Sequence, residues 1–156
     1  MNHAVGRRRV LAALALLPLG ARAVEPALPR LTDLRVAAAD IRRDRRPLLL
    51  FFSTPGCPYC MEVRRGYLAP RLAEAPQVTI REVDITSVRG LAGEKGEPVT
   101  EAQLAARFGV RAVPVVLLVD DAFRPLGAPL VGLNADFYES FLTSAIDAAV
   151  AALARR

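Results

Sequence analysis

Residues 47–53, Pro-Leu-Leu-Leu-Phe-Phe-Ser, form an unbroken apolar run with a proline only at its start. A run without polar alternation reads as a central strand buried on both faces, and such a strand needs a sheet covered by helices on either side. The run stops abruptly at Thr54-Pro55-Gly56, and two cysteines follow at a spacing of three, in Cys57-Pro58-Tyr59-Cys60. A helical pattern then carries Met61, Val63, Tyr67 and Leu68 and is expected to end before Pro70, with Leu72 in a further short turn.

The elements on either side can be read in the same way. Apolar spacing at Leu31, Leu34, Ala38 and Ile41 predicts a helix from Leu31 to about Arg43, with Thr32 or Asp33 as its cap. The cluster Arg42-Arg43-Asp44-Arg45-Arg46 reads as a solvated turn, with docking on an acidic partner as the alternative. Residues 77–85 alternate apolar and polar side chains and predict a strand, and residues 86–99, with Gly90, Gly93, Gly96 and Pro98, predict an exposed loop. Thr100-Glu101-Ala102-Gln103 is a capping-box pattern for a helix through Leu104 and Phe108, stopped by Gly109. Residues 113–119 predict another strand, and Asp120-Asp121 turn the chain into a hairpin partner at 126–133, broken by Gly127 and Pro129. Asn134 is expected to cap a last helix whose apolar face holds Phe137, Phe141, Ala145 and Ala148. The resulting order is α, β, α, β, α, β, β, α. It implies one parallel strand pair, one antiparallel pair and a mixed sheet between two helical layers, an α/β/α architecture.

The first residues read as an address rather than as structure. Arg7-Arg8-Arg9 supply a positive start, residues 10–17 a short apolar core, and Ala21-Arg22-Ala23 an A-x-A cleavage pattern. Residues 1–23 are therefore expected to be a cleaved secretory signal peptide, by a general or a twin-arginine route, followed by an extended lead-in at 24–30 and one domain at 31–156. The apolar stretch is about half of the roughly 20 residues that cross a bilayer, so no membrane anchor is expected after cleavage. The formal net charge of +5 suggests nucleic acid or anionic lipid. Four arginines and no acid lie in residues 1–23, however, so the remainder carries about +1 and neither partner is expected.

The chemistry concentrates on the cysteine pair. The sole histidine, His3, falls in the leader, which leaves the domain without Ser–His or Cys–His catalysis and without the usual zinc sites. Cys57 stands where a buried strand hands over to a helix, so unpaired N–H groups and the positive end of the helix dipole favour its thiolate. Pro58 suits the first helical position, and Cys60, three residues on, lies on the same face and deeper. This arrangement serves disulfide exchange: Cys57 attacks and Cys60 resolves. Two alternatives remain, an inert clip and a Cu(I) carrier using both sulfurs with Met61 adjacent. A four-thiolate zinc site lacks two cysteines, and no metal or organic cofactor is expected.

Leu49-Leu50-Phe51-Phe52-Ser53 ahead of the cysteines, with Phe108-Gly109-Val110-Arg111-Ala112-Val113-Pro114 ahead of a strand, resembles the thioredoxin superfamily over about residues 31–150. Within it, the long glycine-containing loop looks most like exported bacterial thioredoxin-like proteins, including those linked to sulfur oxidation. The resemblance implies a thioredoxin-like fold and a periplasmic thiol–disulfide oxidoreductase with a redox-active Cys57–Cys60 disulfide. It also implies a cis Pro114 preceded by Val113, which face the dithiol and, with Pro58 and Tyr59, bind substrate. The partners implied are protein disulfides and, for a reductant, a membrane electron donor; a monomer is expected. Three departures from the family pattern stand out. Phe51 occupies the place of thioredoxin's buried aspartate, which leaves water to take the Cys60 proton. Gly56 replaces a tryptophan. The Pro58-Tyr59 dipeptide is that of glutaredoxins, but their glutathione-binding Gly-Gly-Asp-Asp type segment is not seen after Pro114. Arg64 and Arg65 follow the dithiol; either one, turned back, would acidify Cys57, and otherwise both are solvated.

Overall fold

The computed structural model describes residues 27–74 and 76–156. The expected signal peptide and the first residues of the lead-in lie outside the described residues. The elements are α1 (Leu34–Asp44), β1 (Leu48–Ser53), α2 (Pro58–Val63), a π-helical segment (Arg64–Leu68), α3 (Ala69–Ala73), β2 (Thr79–Asp84), β3 (Gly90–Ala92), β4 (Pro98–Thr100), α4 (Glu101–Arg107), β5 (Val115–Val119), β6 (Leu130–Val131) and α5 (Tyr138–Ala154).

The main sheet runs β2-β1-β5-β6. β1 pairs parallel with β2 and antiparallel with β5, and β5 pairs antiparallel with β6. Every residue of β1 is buried, as its unbroken apolar run requires. Its side chains alternate between two cores. Leu48, Leu50 and Phe52 pack with α1 and α4 on one face, and Leu49 and Phe51 pack with α2 and α5 on the other. The expected α/β/α layering with a mixed sheet is the observed fold.

Several boundaries move, each for a physical reason. α1 begins at Leu34 because the Asp33 side chain caps it, accepting the N–H groups of Arg35 and Val36. Leu31 belongs instead to the lead-in, which runs along the outer edge of β2: Leu31 N–H bonds the Glu82 carbonyl at 3.2 Å and Glu82 N–H bonds the Pro29 carbonyl at 2.8 Å. The arginine cluster ends α1, with Arg45 in the left-handed region at φ 55°. Arg42 pairs with Asp121, and Arg43 pairs with Asp40 and Asp44.

The helix after the cysteines passes Pro70 rather than stopping before it. Proline offers no N–H and crowds the carbonyl four residues back. A π-helical widening solves this, with Ala69 N–H reaching the Arg64 carbonyl. Residues 86–99 are not a plain loop, for they contain the hairpin β3–β4. Leu91 is buried and Val99 packs on the same core, which holds the hairpin despite its glycines. β6 is only two residues long, because Pro129 has no N–H for the ladder.

The last helix differs most. No side chain caps it; Phe137 and Tyr138 N–H groups bond the Asn134 backbone carbonyl at 3.1 and 2.8 Å. Its buried stripe is Tyr138, Leu142, Ile146, Ala149 and Leu153, one residue out of phase with the expected face. Phe137 and Phe141 are about half exposed and rest against each other, with ring centroids 6.1 Å apart.

One buried carboxylate ties the hairpin side of the molecule together. Glu101 is fully buried and receives Arg30 from the lead-in (2.7 Å), Arg89 from the segment before β3 (2.9 Å) and the Asp84 N–H (3.4 Å). Burial pushes its carboxyl up, but hydrogen bonds from Arg89, Ser87 and Arg30 outweigh this and hold it below the ordinary range. A carboxylate held low when folded contributes stability above the ordinary carboxylate range and loses it as pH falls through the lowered value. Glu101→Gln is expected to cost about 3 kcal/mol near neutral pH, the low end for breaking a buried ion pair since both arginines are partly solvated. Urea melts should show that gap narrowing toward pH 3.

Candidate active site

The site is built by the exit of β1. After Ser53 the chain turns through Thr54-Pro55-Gly56, and Gly56 takes a left-handed φ of 74°, which glycine adopts without penalty. At this φ a side chain in place of Gly56, tryptophan included, would be strained. The turn delivers Cys57 as the N-cap of α2, with Pro58 in the first turn of the helix.

Cys57 and Cys60 form a disulfide with their Cα atoms 5.2 Å apart. The two sulfurs are not equivalent. Cys57 is partly exposed, and its Sγ accepts the Cys60 N–H at 3.1 Å, so a backbone donor is already aimed at the atom that becomes the thiolate. Cys60 is fully buried among Val63, Leu68 and the α5 stripe. Pro58 and Tyr59 project outward, Tyr59 being 62 % exposed.

The second segment arrives through the sheet. Because Phe52 pairs with Val115, the residues just before β5 lie at the same end of the sheet as the cysteines. The Val113–Pro114 bond there is cis, and Val113 packs against both cores. The structure thus places Cys57, Cys60, Pro58, Tyr59, Val113 and Pro114 at one end of the sheet. The sequence profile of the thioredoxin-like domain matches residues 34–133, which contain all six. The chain belongs to the thioredoxin-like family. No curated protein matches it by sequence. Among solved structures it is similar to a thioredoxin mutant from Halobacterium salinarum (22 % identity over 81 % of this chain and 95 % of that one, TM-score 0.54). It is also similar to a protein titled DsbH oxidoreductase (18 %, 86 % and 95 %, TM-score 0.56) and to a Fasciola hepatica thioredoxin (20 %, 77 % and 97 %, TM-score 0.54). At these identities the likeness speaks for the fold alone. The enzyme class expected from the sequence, a thiol–disulfide oxidoreductase, follows from the family and from the Cys57–Cys60 disulfide.

Beneath the dithiol helix, this thioredoxin-like protein carries a charge arrangement that its sequence did not announce. Phe51 is fully buried where an acid was missed, and the Arg64 guanidinium sits 5.8 Å from its ring centroid. Arg64 is not a solvated residue. Its side chain is 14 % exposed and pairs with Glu82 of β2 at 2.5 Å, and Ser53 Oγ donates to the same carboxylate oxygen at 2.5 Å. A buried carboxylate is therefore present on the dithiol side of the sheet, contributed by the neighbouring strand. The signal lay in the strand pattern, since Glu82 continues the inward parity of Val78 and Ile80. Removing the carboxylate takes away the buried half of this pair and the hydrogen bonds that Arg64 and Ser53 make to it. Glu82→Gln is expected to lower stability by about 3–5 kcal/mol, whereas the joint change Glu82→Leu with Arg64→Met is expected to lie within about 1–2 kcal/mol of wild type. Chemical denaturation of the three chains decides this, and a mild single mutant beside a damaging double would contradict the pairing.

Proposed function

We propose that this chain is an exported thiol–disulfide oxidoreductase that reduces protein disulfides in the periplasm. The observation that carries the exchange chemistry is the inequality of the two sulfurs: one caps a helix at the surface, and the other is sealed beneath it. In the reduced enzyme, the Cys57 thiolate attacks one sulfur of a substrate disulfide. That bond breaks, the departing sulfur takes a proton, and a mixed disulfide forms. Cys60 then gives up its proton and displaces the second substrate sulfur, which restores the Cys57–Cys60 bond. The second departing sulfur takes a proton as well; the substrate has gained two electrons from the enzyme and two protons, one given up by Cys60 and one from solvent, because Cys57 reacts as its thiolate.

Pro58, Tyr59, Val113 and Pro114, which lie at the same end of the sheet as Cys57, form the substrate platform under this reading. The leader pattern in residues 1–23 supports export, and an oxidising periplasm then requires a membrane donor to recharge the dithiol. The resemblance to sulfur-oxidation-linked proteins favours a dedicated partner over a general one, and the domain is taken to act as a monomer. Copper carriage would use both sulfurs as equal ligands, which their unequal exposure does not favour.

The test is insulin reduction with dithiothreitol as electron source. Cys57→Ser should fall to the uncatalysed rate, and Cys60→Ser should accumulate mixed disulfides visible on non-reducing gels. A reductant should equilibrate with glutathione near the thioredoxin potential of about −270 mV rather than the DsbA value of about −120 mV. If wild type and Cys57→Ser reduce insulin equally slowly, or both single mutants lose tight Cu(I) binding alike, the exchange reading is wrong.

A further inference from the structure

The arginine cluster that ends α1 lies at the pole of the sheet opposite the dithiol. Leu48, two residues past Arg46, pairs with Val119 at one end of the β1–β5 ladder, and Phe52 pairs with Val115 at the other. The six residues of β1 separate the two poles by roughly 17 Å. Arg45 lines the same surface concavity as Leu153 and Arg156, which brings the end of α5 beside the end of α1. Much of the charge here is used within the molecule: Arg42 pairs with Asp121, Arg43 with Asp40 and Asp44, and Arg124 and Arg156 with Asp120. Arg45, Arg46 and Arg155 are exposed and make no salt bridge among the described residues. Arg45 is also strained. It caps α1 in the left-handed region, at φ 55° and ψ 35°, with its N–H on the Ile41 carbonyl at 2.9 Å. Glycine takes that conformation without penalty and arginine does not. No ion pair among the described residues offsets the strain, so a charged side chain is kept there at a cost to folding, which points to a partner outside the chain.

We propose that this pole docks on the anionic surface of a phospholipid bilayer through Arg45, Arg46 and Arg155. The net charge of residues 24–156, about +1, gives no reason to expect such a partner, but the charge is unevenly placed. Lipid is favoured over an acidic protein by what the pole lacks. Segments 42–46, 120–124 and 153–156 hold no exposed large apolar side chain, since Phe123 and Leu153 are both buried. A protein interface is anchored by aromatic or apolar groups that fill pockets on the partner. Lipid headgroups need no such anchor, and each arginine near an anionic surface adds about a fivefold gain in partition without shape complementarity. A domain held by this pole keeps Cys57 on the side away from the lipid, so docking concentrates the enzyme at the membrane without covering its site.

Vesicle co-sedimentation tests this with the full chain carrying Arg7→Gln, Arg8→Gln and Arg9→Gln, so that the leader cannot supply the charge. The readout is a ratio: partition onto phosphatidylcholine vesicles containing about one third phosphatidylglycerol, divided by partition onto phosphatidylcholine alone. It should be about tenfold or more at low ionic strength and fall toward one at about 0.5 M salt, where charges are screened within a few ångström. Arg46→Gln and Arg155→Gln should each lower it about fivefold. Arg45→Gly separates docking from folding. It should lower the ratio by the same factor while raising the melting temperature by about 2–4 °C, because glycine relieves the left-handed strain. A ratio near one, or a ratio that the three substitutions leave unchanged, overturns the proposal. Binding to immobilised poly-glutamate without any preference for anionic vesicles also overturns it, and would assign the pole to an acidic polypeptide.

Discussion

The burial of β1 on both faces is the constraint from which the rest follows. A strand with no solvated side must be covered twice, and its alternate residues supply both contacts: Leu48, Leu50 and Phe52 toward α1 and α4, Leu49 and Phe51 toward α2 and α5. Each such side chain contributes about 1.5–3 kcal/mol when fully withdrawn from water, so the strand anchors both helical layers. It also sets where the chemistry sits. The strand can leave the core only at its end, and it leaves through a left-handed glycine that turns directly into the first turn of a helix.

That exit explains why two sulfurs three residues apart behave differently. The N-cap position is half outside the helix, so Cys57 meets water and the unpaired N–H groups of the first turn. Cys60 points down into the core that β1 and α5 create. Fold and reactivity therefore share one cause. The Arg64–Glu82 pair beneath them is the unusual element. It places a full charge pair against Phe51, on a face otherwise made of aliphatic and aromatic side chains. A pair so placed is held by hydrogen bonds as much as by charge, and Ser53 supplies one of them.

Buried carboxylates serve as staples elsewhere too. Glu101 joins lead-in, hairpin and α4, while Asp120 gathers the Ala122 and Arg124 N–H groups and the Arg124 and Arg156 side chains at the far end of β5. Burial raises the Asp120 carboxyl, but the hydrogen bonds from Arg124 and Ala122 bring it below its ordinary value. Both staples tie segments outside the central strands to the body of the domain.

Local chemistry made much of this protein legible in its sequence. The apolar run, the Thr100–Gln103 capping box and the spacing of the cysteines each depend on residues within a few positions of one another and appear as read, and of the two expected caps of α1, Thr32 or Asp33, the structure takes Asp33. The phase of α5 did not, since both of its stripes are apolar and only packing against Tyr67 and the sheet chooses Tyr138 over Phe137. Nor did the passage through Pro70, the β3–β4 hairpin, or the meeting of Arg64 with Glu82. These are settled by partners far away along the chain, whose contact exists only once the sheet has formed. The sequence determined which groups could react and which strand would be central; the tertiary structure alone decided which charges would be buried together, because burial belongs to the assembled core and to no single segment of it.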